Sequence, residues 1–372
     1  MKDKKQEVKY YSLNSILAKD AQYNIIFGER SNGKTYAALE YMITDYVKNK
    51  KQGAIIRRWK EDFRGKRGAV MFDAHVSNGV ISRLTNGAYS CVYAYSGRWY
   101  LANPDARNEG KLIPAPEPFC FGFSLSDVEH DKSTSYPNIR TIVFDEFLTR
   151  QYYLPDEFVT FMNVLSTIIR QRDDVKIFML GNTVNQYCPY FTEMGLTHIK
   201  EMTKGAIEVY QYGESKLRVA VEYADSISKS GKPSDVYFAF NNPKLSMITG
   251  GAWEMAMYPH LPYKYLPKEI MFTYFMEFNN QLLQCEIINT HNTVFTFIHR
   301  KTTPLQDPDS DLIYSMEYDP RPNHIRNIRK STAKINKKIA KFFAENRVFY
   351  QDNEVGEIVR NYLIKCAHDT VQ

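Results

Sequence analysis

The sequence has no long hydrophobic run and few cysteines. No apolar run among its 372 residues approaches the ~20 residues that a membrane-spanning helix needs, and residues 1–7 lack the apolar core of a secretion signal. The five cysteines are scattered, without a Cys-x-x-Cys pair: Cys91, Cys120, Cys188, Cys285 and Cys366. These absences argue against a disulfide or zinc framework and predict reduced thiols in a cytoplasm, with no membrane partner.

The 48 Lys and Arg residues slightly outnumber the 42 Asp and Glu residues, and the net charge is +6. The basic excess is concentrated between Arg321 and Arg347, where nine Lys and Arg residues accompany one acid, Glu345. Such a strip suits a polyanion such as nucleic acid. Taken alone, a solvated helix face explains a charge run of this kind more often.

Residues 22–35 carry the pattern Gly-x-x-x-x-Gly-Lys-Thr between a predicted strand and a predicted helix, which is the context of a phosphate-binding loop. Gly28 and Gly33 permit backbone angles that direct N–H groups at a polyphosphate. Lys34 would reach the β- and γ-phosphates, and the Thr35 hydroxyl would ligate Mg²⁺. The sequence therefore predicts an ATP and Mg²⁺ site in one loop: Gly28, Glu29, Arg30, Ser31, Asn32, Gly33, Lys34 and Thr35.

A second motif lies at residues 141–146, where an apolar run ends in Asp145 and Glu146. By itself such a run could be an ordinary strand end. With a phosphate loop upstream, it indicates that Asp145 holds Mg²⁺ and that Glu146 accepts a proton from the attacking water. The pairing favours hydrolysis over kinase chemistry.

Three further polar residues follow a predicted helix at 155–169. Asn182 ends a predicted strand and is a candidate for sensing the γ-phosphate or holding the lytic water, although a turn-forming Asn is almost as good an explanation. Arg170 and Arg172 precede that strand, and an Arg there can neutralise a neighbouring subunit's triphosphate. Either one alone is more often a surface ion-pair residue.

Composition divides the chain into three parts. Residues 1–225 form the predicted nucleotide domain, a largely parallel α/β sheet with a hairpin elaboration at 90–123, and residues 226–256 form a linker. Residues 257–372 contain three consecutive strands, a basic helix at 322–346 and a last helix at 353–367, an order that resembles a small ribonuclease-H-like fold. Its strands offer few carboxylates, so binding of nucleic acid is favoured over cleavage: Glu277, Glu286, Glu317 and Asp319.

With these motifs in place, the chain resembles the DNA-packaging ATPases of small tailed phages, the phi29-type encapsidation proteins, which are relatives of large terminases. The likeness is close at residues 131–147 and 167–176. It implies an additional-strand (ASCE) P-loop domain, a linker and a vestigial nuclease domain. It also implies a homopentameric ring that pumps double-stranded DNA into a preformed capsid at the portal, with a structural RNA ring in one branch. The expected location is the host cytoplasm, transiently on the procapsid, and not the mature virion.

The resemblance also implies roles for single residues. Lys132 matches a lysine that acts on the neighbour's nucleotide, Arg170 matches the arginine finger, and Arg30 matches the loop arginine of large terminases. Two other functions stay open: a terminase-like motor with an active nuclease, and a nucleotide-gated assembly protein that binds nucleic acid without turnover. Four basic residues are candidates for gripping DNA: Arg57, Arg58, Lys66 and Arg67.

Overall fold

A computed structural model of the chain describes residues 11–127, 135–150, 153–225, 253, 256–290 and 293–369. It divides into two units, Met1–Trp253 and Glu254–Gln372, and the division falls inside the predicted linker. Most of residues 226–256 lie outside the described part, so the linker itself stays a prediction. No described helix is long and apolar enough to cross a bilayer.

The first unit is built on one mixed sheet. Its strands are β1 (Tyr23–Gly28), β2 (Gln52–Arg57), β3 (Cys91–Tyr95), β4 (Arg98–Pro104), β5 (Leu112–Pro114), β6 (Cys120–Ser124), β7 (Ile139–Asp145), β8 (Lys176–Asn182), β9 (Ile207–Gln211) and β10 (Arg218–Ala224). Its helices are α1 (Asn14–Leu17), α2 (Lys34–Asn49), α3 (Gly65–Ala69), α4 (Asp73–Ser77), α5 (Val80–Leu84), α6 (Glu157–Ile169) and α7 (Pro189–Glu193).

The ten strands follow the order β3-β4-β6-β2-β7-β8-β1-β10-β9, with β5 beside β4. All neighbours from β6 to β10 in that order are parallel. Strand β8 lies between the phosphate-loop strand β1 and the acid-bearing strand β7, which is the additional-strand arrangement. The predicted fold class of this unit is confirmed. The predicted hairpin is β3–β4, whereas residues 120–124 form the core strand β6.

Apolar runs form the central strands because both faces of the sheet are covered. Ile25 and Phe27 of β1 pack into a core beneath α6 and α7, whereas Ile26 packs into a second core beneath α2. Of the five cysteines, Cys91 is partly exposed and the other four are buried. Because helices cover both faces of the sheet, polar side chains gather at the carboxyl ends of β1, β7 and β8.

The second unit has six strands in the order β15-β14-β11-β12-β13-β16. They are β11 (Ile270–Phe278), β12 (Gln281–Thr290), β13 (Thr293–Arg300), β14 (Ile313–Ser315), β15 (His324–Ile325) and β16 (Val348–Tyr350). Helix α8 (Lys334–Ala344) precedes β16 in the chain, and helix α9 (Asn353–His368) follows it. The predicted antiparallel meander is β11–β12–β13. Strand β14 runs parallel to β11, and β15 runs parallel to β14. This pattern is compatible with a ribonuclease-H-like sheet, and that assignment stays a prediction.

The basic helix begins later than predicted, at Lys334 and not at 322. Asn327 explains part of the difference, since its side-chain oxygen accepts from the N–H of Arg329 at 2.9 Å and its amide donates to the carbonyl of Cys366 at 2.8 Å. A local side-chain bond of this kind competes with helix formation. Residues before Lys334 therefore contribute strand β15 and turns, and Ile328 is buried outside the helix.

Candidate functional site

A cleft of about 390 Å³ opens where β1, β7 and β8 end and α2 begins. It brings together residues of both sequence motifs, although they lie more than a hundred positions apart. Its lining is Ser31, Asn32, Gly33, Lys34, Thr35, Tyr36, Arg57, Asp145, Glu146, Leu180, Gly181 and Asn182.

The phosphate loop adopts backbone angles that its two glycines permit. Gly28 has a φ of +157° and Gly33 a φ of +92°, in the region that L-residues rarely enter. A Cβ on Gly28 would also lie 2.9 Å from the carbonyl oxygen of Ala224. The loop leads directly into α2, a helix of 16 residues whose N-terminus faces the cleft lining. Helix N-termini favour anions.

Lys34 is held inside this loop, with 5% of its surface exposed. Its Nζ donates to the carbonyl of Glu29 at 2.6 Å and to the side-chain oxygen of Asn32 at 3.1 Å. Burial lowers the pKa of Lys34 to about 8, although the Asp145 and Glu29 carboxylates favour the charged form. The side-chain N–H₂ of Asn32 is buried and finds no acceptor among the described residues. A buried cation beside an unsatisfied donor fits a polyphosphate.

The two residues predicted to hold Mg²⁺ are in contact. The Thr35 hydroxyl donates to Asp145 Oδ1 at 2.9 Å, and Asp145 is 6% exposed. In the described part of the chain, no group of three or more His, Cys, Asp or Glu side chains could hold a metal ion. Mg²⁺ commonly uses one or two protein oxygens and completes its shell with phosphate and water, so this hydroxyl–carboxylate pair fits the ion.

Glu146 leaves the strand through a strained turn. Its φ is +60°, an uncommon value for a residue with a side chain, and 64% of its side chain is exposed. The neighbouring carboxylate of Asp145 is buried, so the turn separates a buried acid from a solvent-accessible one. Water can therefore reach Glu146 while it lines the cleft.

Arg57 is a residue of the cleft that no sequence motif indicated. This last residue of β2 donates to Asp145 Oδ2 at 2.5 Å and to Glu146 Oε2 at 2.9 Å. The prediction had placed it among DNA-gripping candidates, but the side chain lies in the cleft. The signal for it is positional, since β2 is parallel to β7 and the two strands end at the same edge of the sheet.

Arg58, a second candidate for gripping DNA, is also placed away from any DNA-binding surface. It is 7% exposed and its Nε and one terminal nitrogen each donate to Glu157 at 2.8 Å. Successive strand residues point to opposite faces, so Arg57 enters the cleft and Arg58 enters the core beneath α6. A buried, paired guanidinium is not a DNA contact. The other two candidates, Lys66 and Arg67, are exposed.

The remaining predicted residues are placed differently. Asn182 ends β8 and lines the cleft, and Arg30 is exposed outside the lining. Arg170 is exposed at the far end of α6 with a φ of +54°. Arg172 turns inward and donates to five carbonyl oxygens of its own chain, those of Tyr136, Pro137, Ile139, Ile168 and Ile169. Lys132 lies outside the described residues.

Comparison with known proteins finds relatives among the proteins of Bacillus phages. The "DNA packaging protein" of Bacillus phage phi29 and that of Bacillus phage PZA are each 30% identical to it over 185 residues, which is 49% of this chain and 49% of each relative. The match thus spans about half the length of these relatives.

Two solved structures share the fold over nearly the whole chain. The bacteriophage Phi-29 viral genome packaging motor assembly matches with a TM-score of 0.54 at 21% identity, covering 95% of this chain and 96% of that one. The Phi-28 gp11 DNA packaging motor matches with a TM-score of 0.52 at 18% identity, covering 98% and 100%.

A family model matches residues 5–77 and 117–232, about half of the chain. It leaves out 78–116, the stretch that contains α5 and β3 to β5. The matched ranges include the phosphate loop, both acids and Arg170. The chain therefore belongs to the podovirus DNA encapsidation protein (Gp16) family.

Proposed function

We propose that this protein is an ATP-driven motor that moves double-stranded viral DNA into a preformed capsid at the portal vertex. The observation that carries the proposal is the contact between the Thr35 hydroxyl and the Asp145 carboxylate, 2.9 Å apart in a cleft lined by Lys34 and Glu146. The name "DNA packaging protein" of the phi29 and PZA relatives supports the coupling to DNA.

The residues of the cleft divide the chemistry among them. Lys34, Asn32 and the backbone of the loop would hold the phosphates of ATP, and Thr35 and Asp145 would hold Mg²⁺. Bound Mg²⁺ would offset negative charge on the phosphates. Glu146 would take the proton of the attacking water, because its carboxylate is exposed to solvent at the cleft. Asn182, at the end of the neighbouring strand, would hold that water or sense the γ-phosphate.

Arg170 would act on the site of an adjacent subunit. Asp145 and Glu146 form a turn, here called the catalytic turn. Helix α6 begins next to it at Glu157, since Arg58 donates to both Glu146 and Glu157, and its 13 residues extend for about 20 Å at 1.5 Å per residue. Arg170 follows the last of them and so lies too far from its own cleft to contact a phosphate there. Arg172 is committed to carbonyls of its own chain, which leaves Arg170 as the finger of the pair.

A finger that works only between subunits requires an assembly of two or more copies of the chain. Lys132, which the resemblance matches to a lysine acting on the neighbour's nucleotide, would join Arg170 in this role. The resemblance to the family supplies the homopentamer, the portal and procapsid, the structural packaging RNA of one branch, and transient action in the host cytoplasm. Each of these is part of the proposal.

Replacement of the proposed base tests the chemistry. Glu146→Gln should bind ATP as the wild type does and hydrolyse it about 10²–10⁴-fold more slowly, the usual contribution of a general base. Glu193→Gln, a change at an exposed acid in α7, is the matched control. Steady-state ATPase assays on procapsids with DNA measure both. Turnover of Glu146→Gln close to that of the wild type would contradict the assignment.

The shared site has its own test. Mixed rings that combine Arg170→Ala subunits with Glu146→Gln subunits should regain some activity, because some interfaces then carry an intact base and an intact finger. Titration of one variant into the other at fixed total protein measures this recovery. Absence of recovery at every ratio would contradict a site built from two subunits.

The two other functions are separated by simple assays. A two-metal nuclease needs several carboxylates around one site. Among the described residues, two of the four candidates accept hydrogen bonds from other side chains, and the other two, Glu277 and Glu317, are exposed. Glu286 accepts from Gln284 at 2.7 Å, and Asp319 accepts from Arg321 at 2.7 Å. Nicking of supercoiled DNA with Mn²⁺ that is lost in Glu277→Ala or Glu317→Ala would favour the nuclease. Absence of DNA- or procapsid-stimulated ATPase activity would favour the assembly protein.

A further inference from the structure

Strand β7 and helix α6 lie side by side in opposite directions and have matched lengths. The 7 residues of β7 extend for about 23 Å at 3.3 Å per residue, and the helix extends for about 20 Å. Between them Phe144 stacks on Phe161 with ring centroids 5.0 Å apart, and both rings are fully buried. The catalytic turn follows one end of this pair, and Arg170 follows the other end of the helix.

One buried arginine fastens the catalytic end. Arg58 forms a two-bond contact with Glu157, the first residue of α6, and also donates to the backbone carbonyls of Phe147 at 2.9 Å and Glu146 at 3.3 Å. Glu157 is 2% exposed and accepts from the Tyr190 hydroxyl at 2.8 Å. The turn that carries Glu146 is therefore tied to the start of α6 by a fully paired buried charge.

A second arginine fastens the opposite end. Arg172 donates to Ile168 and Ile169 at the end of α6, and to Tyr136, Pro137 and Ile139 at the entry to β7. The bonds to Ile139 and Ile168 are both 2.6 Å long. Five carbonyl acceptors occupy one guanidinium, so strand and helix are tied at this end as well. Arg170 lies two residues before Arg172 in the chain.

We infer that Arg58 and Arg172 are positioning residues that make β7 and α6 one rigid unit, so that the catalytic turn of one site and the finger offered to the next site move together. The inference rests on the proposed function, because it uses Glu146 and Arg170 in the roles given above. A change at Glu146 on nucleotide binding is thereby passed to Arg170 through a packed element with ties at both ends.

Hydrogen exchange with the full-length chain tests this coupling without a functioning ring. Exchange is measured with and without Mg²⁺ and a slowly hydrolysed ATP analogue, on peptides that cover 28–35 and 168–172. In the wild type both peptides should respond, each by about threefold or more in exchange rate. Arg58→Lys keeps the charge beside Glu157 but loses the fork of donors, so the 28–35 response should remain and the 168–172 response should disappear.

Arg172→Gln removes bonds that join the end of α6 to the entry of β7. It should give the same result, and it replaces Arg58→Lys as the test variant if Arg58→Lys does not fold. Arg83→Lys, at an exposed ion pair with Glu40, is the control and should keep both responses. A 168–172 response that persists in the folded variants, or that is absent from the wild type while 28–35 responds, would overturn the coupling. No response at 28–35 in the wild type would overturn the proposed nucleotide site and the coupling with it.

Discussion

The side chain of Lys34 is a basic group that is almost fully buried. Burial lowers the pKa of this side chain from 10.5 to about 8, so between these two values the unfolded chain binds more protons than the folded chain. The free energy of unfolding therefore rises with pH across that interval. Ligand binding has the opposite sign, because a polyphosphate favours the protonated amine.

We predict that affinity for Mg²⁺·ATP is nearly constant below pH 8 and falls above it. A site that needs one proton loses up to about tenfold in affinity for each pH unit above the pKa. Titration of a fluorescent ATP analogue between pH 7 and pH 9.5 measures the slope. Lys34→Arg, which stays charged across this range, should remove the slope, and a flat wild-type curve would contradict the prediction.

Arg57 supports a second prediction at this scale. It bonds both carboxylates of the catalytic turn and so offsets their mutual repulsion while it orients Glu146. Arg57→Gln should lower kcat about 10- to 100-fold, less than loss of the base itself, and change nucleotide affinity by less than about threefold. Arg107→Gln, at an exposed residue between β4 and β5, is the matched control. Unchanged turnover would contradict this role, and faster turnover would mean that Arg57 restrains Glu146.

The contrast between Lys34 and Arg57 shows what could be predicted for single residues. Lys34, Thr35, Asp145 and Glu146 belong to motifs whose spacing reflects local backbone geometry, and the structure gathers all four in one cleft. Arg57 belongs to no motif. Its place depends on β2 being next to β7, a long-range pairing that local sequence does not encode.

Among the elements, α9 shows how one side chain sets a helix boundary. Asp352 precedes the helix in an extended conformation, and its carboxylate accepts from the backbone N–H of Val355 at 2.8 Å. Asp is among the preferred N-cap residues for this reason. The helix start was predicted at 353, and it begins at Asn353.

We predict that Asp352→Ala lowers the free energy of unfolding by about 1 kcal/mol, the usual value of an N-cap. Urea unfolding followed by circular dichroism measures the loss. Asp352→Asn keeps an acceptor at the same position and should differ from the wild type by a few tenths of a kcal/mol at most. Equal stability of the Ala and Asn variants would show that the cap contributes nothing here.

Element boundaries were predicted well where a cap or a packing pattern is local. Helix α6 was expected at 155–169 and spans Glu157–Ile169, because its apolar positions repeat with helical spacing. Helix α8 was expected from 322 and begins at Lys334. Part of the difference is explained by Asn327, which bonds Cys366 in a distant helix, and such a contact cannot be inferred from periodicity.

On the scale of the whole molecule, the charge excess is presented on α8 of the second unit. Four lysines of this helix are exposed and repeat with helical spacing along one face: Lys334, Lys337, Lys338 and Lys341. The opposite side buries Asn336, Ile339 and Phe342. The helix therefore presents a lysine face of the kind that binds phosphate backbones without reading bases.

We predict that replacing these four lysines by Gln weakens binding of double-stranded DNA and lowers the salt dependence of binding. Each phosphate contact contributes about 0.9 to the slope of log K against log salt for duplex DNA, so the slope should fall by up to about 3.6. Fluorescence anisotropy over a salt series measures it. Lys48, Lys50 and Lys51 replaced by Gln form the control, and an unchanged slope in the α8 variant would contradict the prediction.

The class of the first sheet could be predicted, because a phosphate loop and an acid-bearing strand are both visible in the sequence. The order of strands could not. β10 joins the parallel core beside β1 from almost two hundred residues away, and such pairings depend on how whole elements cover one another.

The burial of four of the five cysteines has a practical consequence for measuring this molecule. Thiol reagents react with accessible thiolates, so in the native fold a maleimide dye should attach at Cys91 and spare the others. Replacing Cys91 by Ser would give a background on which one engineered cysteine beside Arg170 carries a single fluorophore. Distance changes between dyes on neighbouring subunits of the proposed ring could then be followed, one molecule at a time.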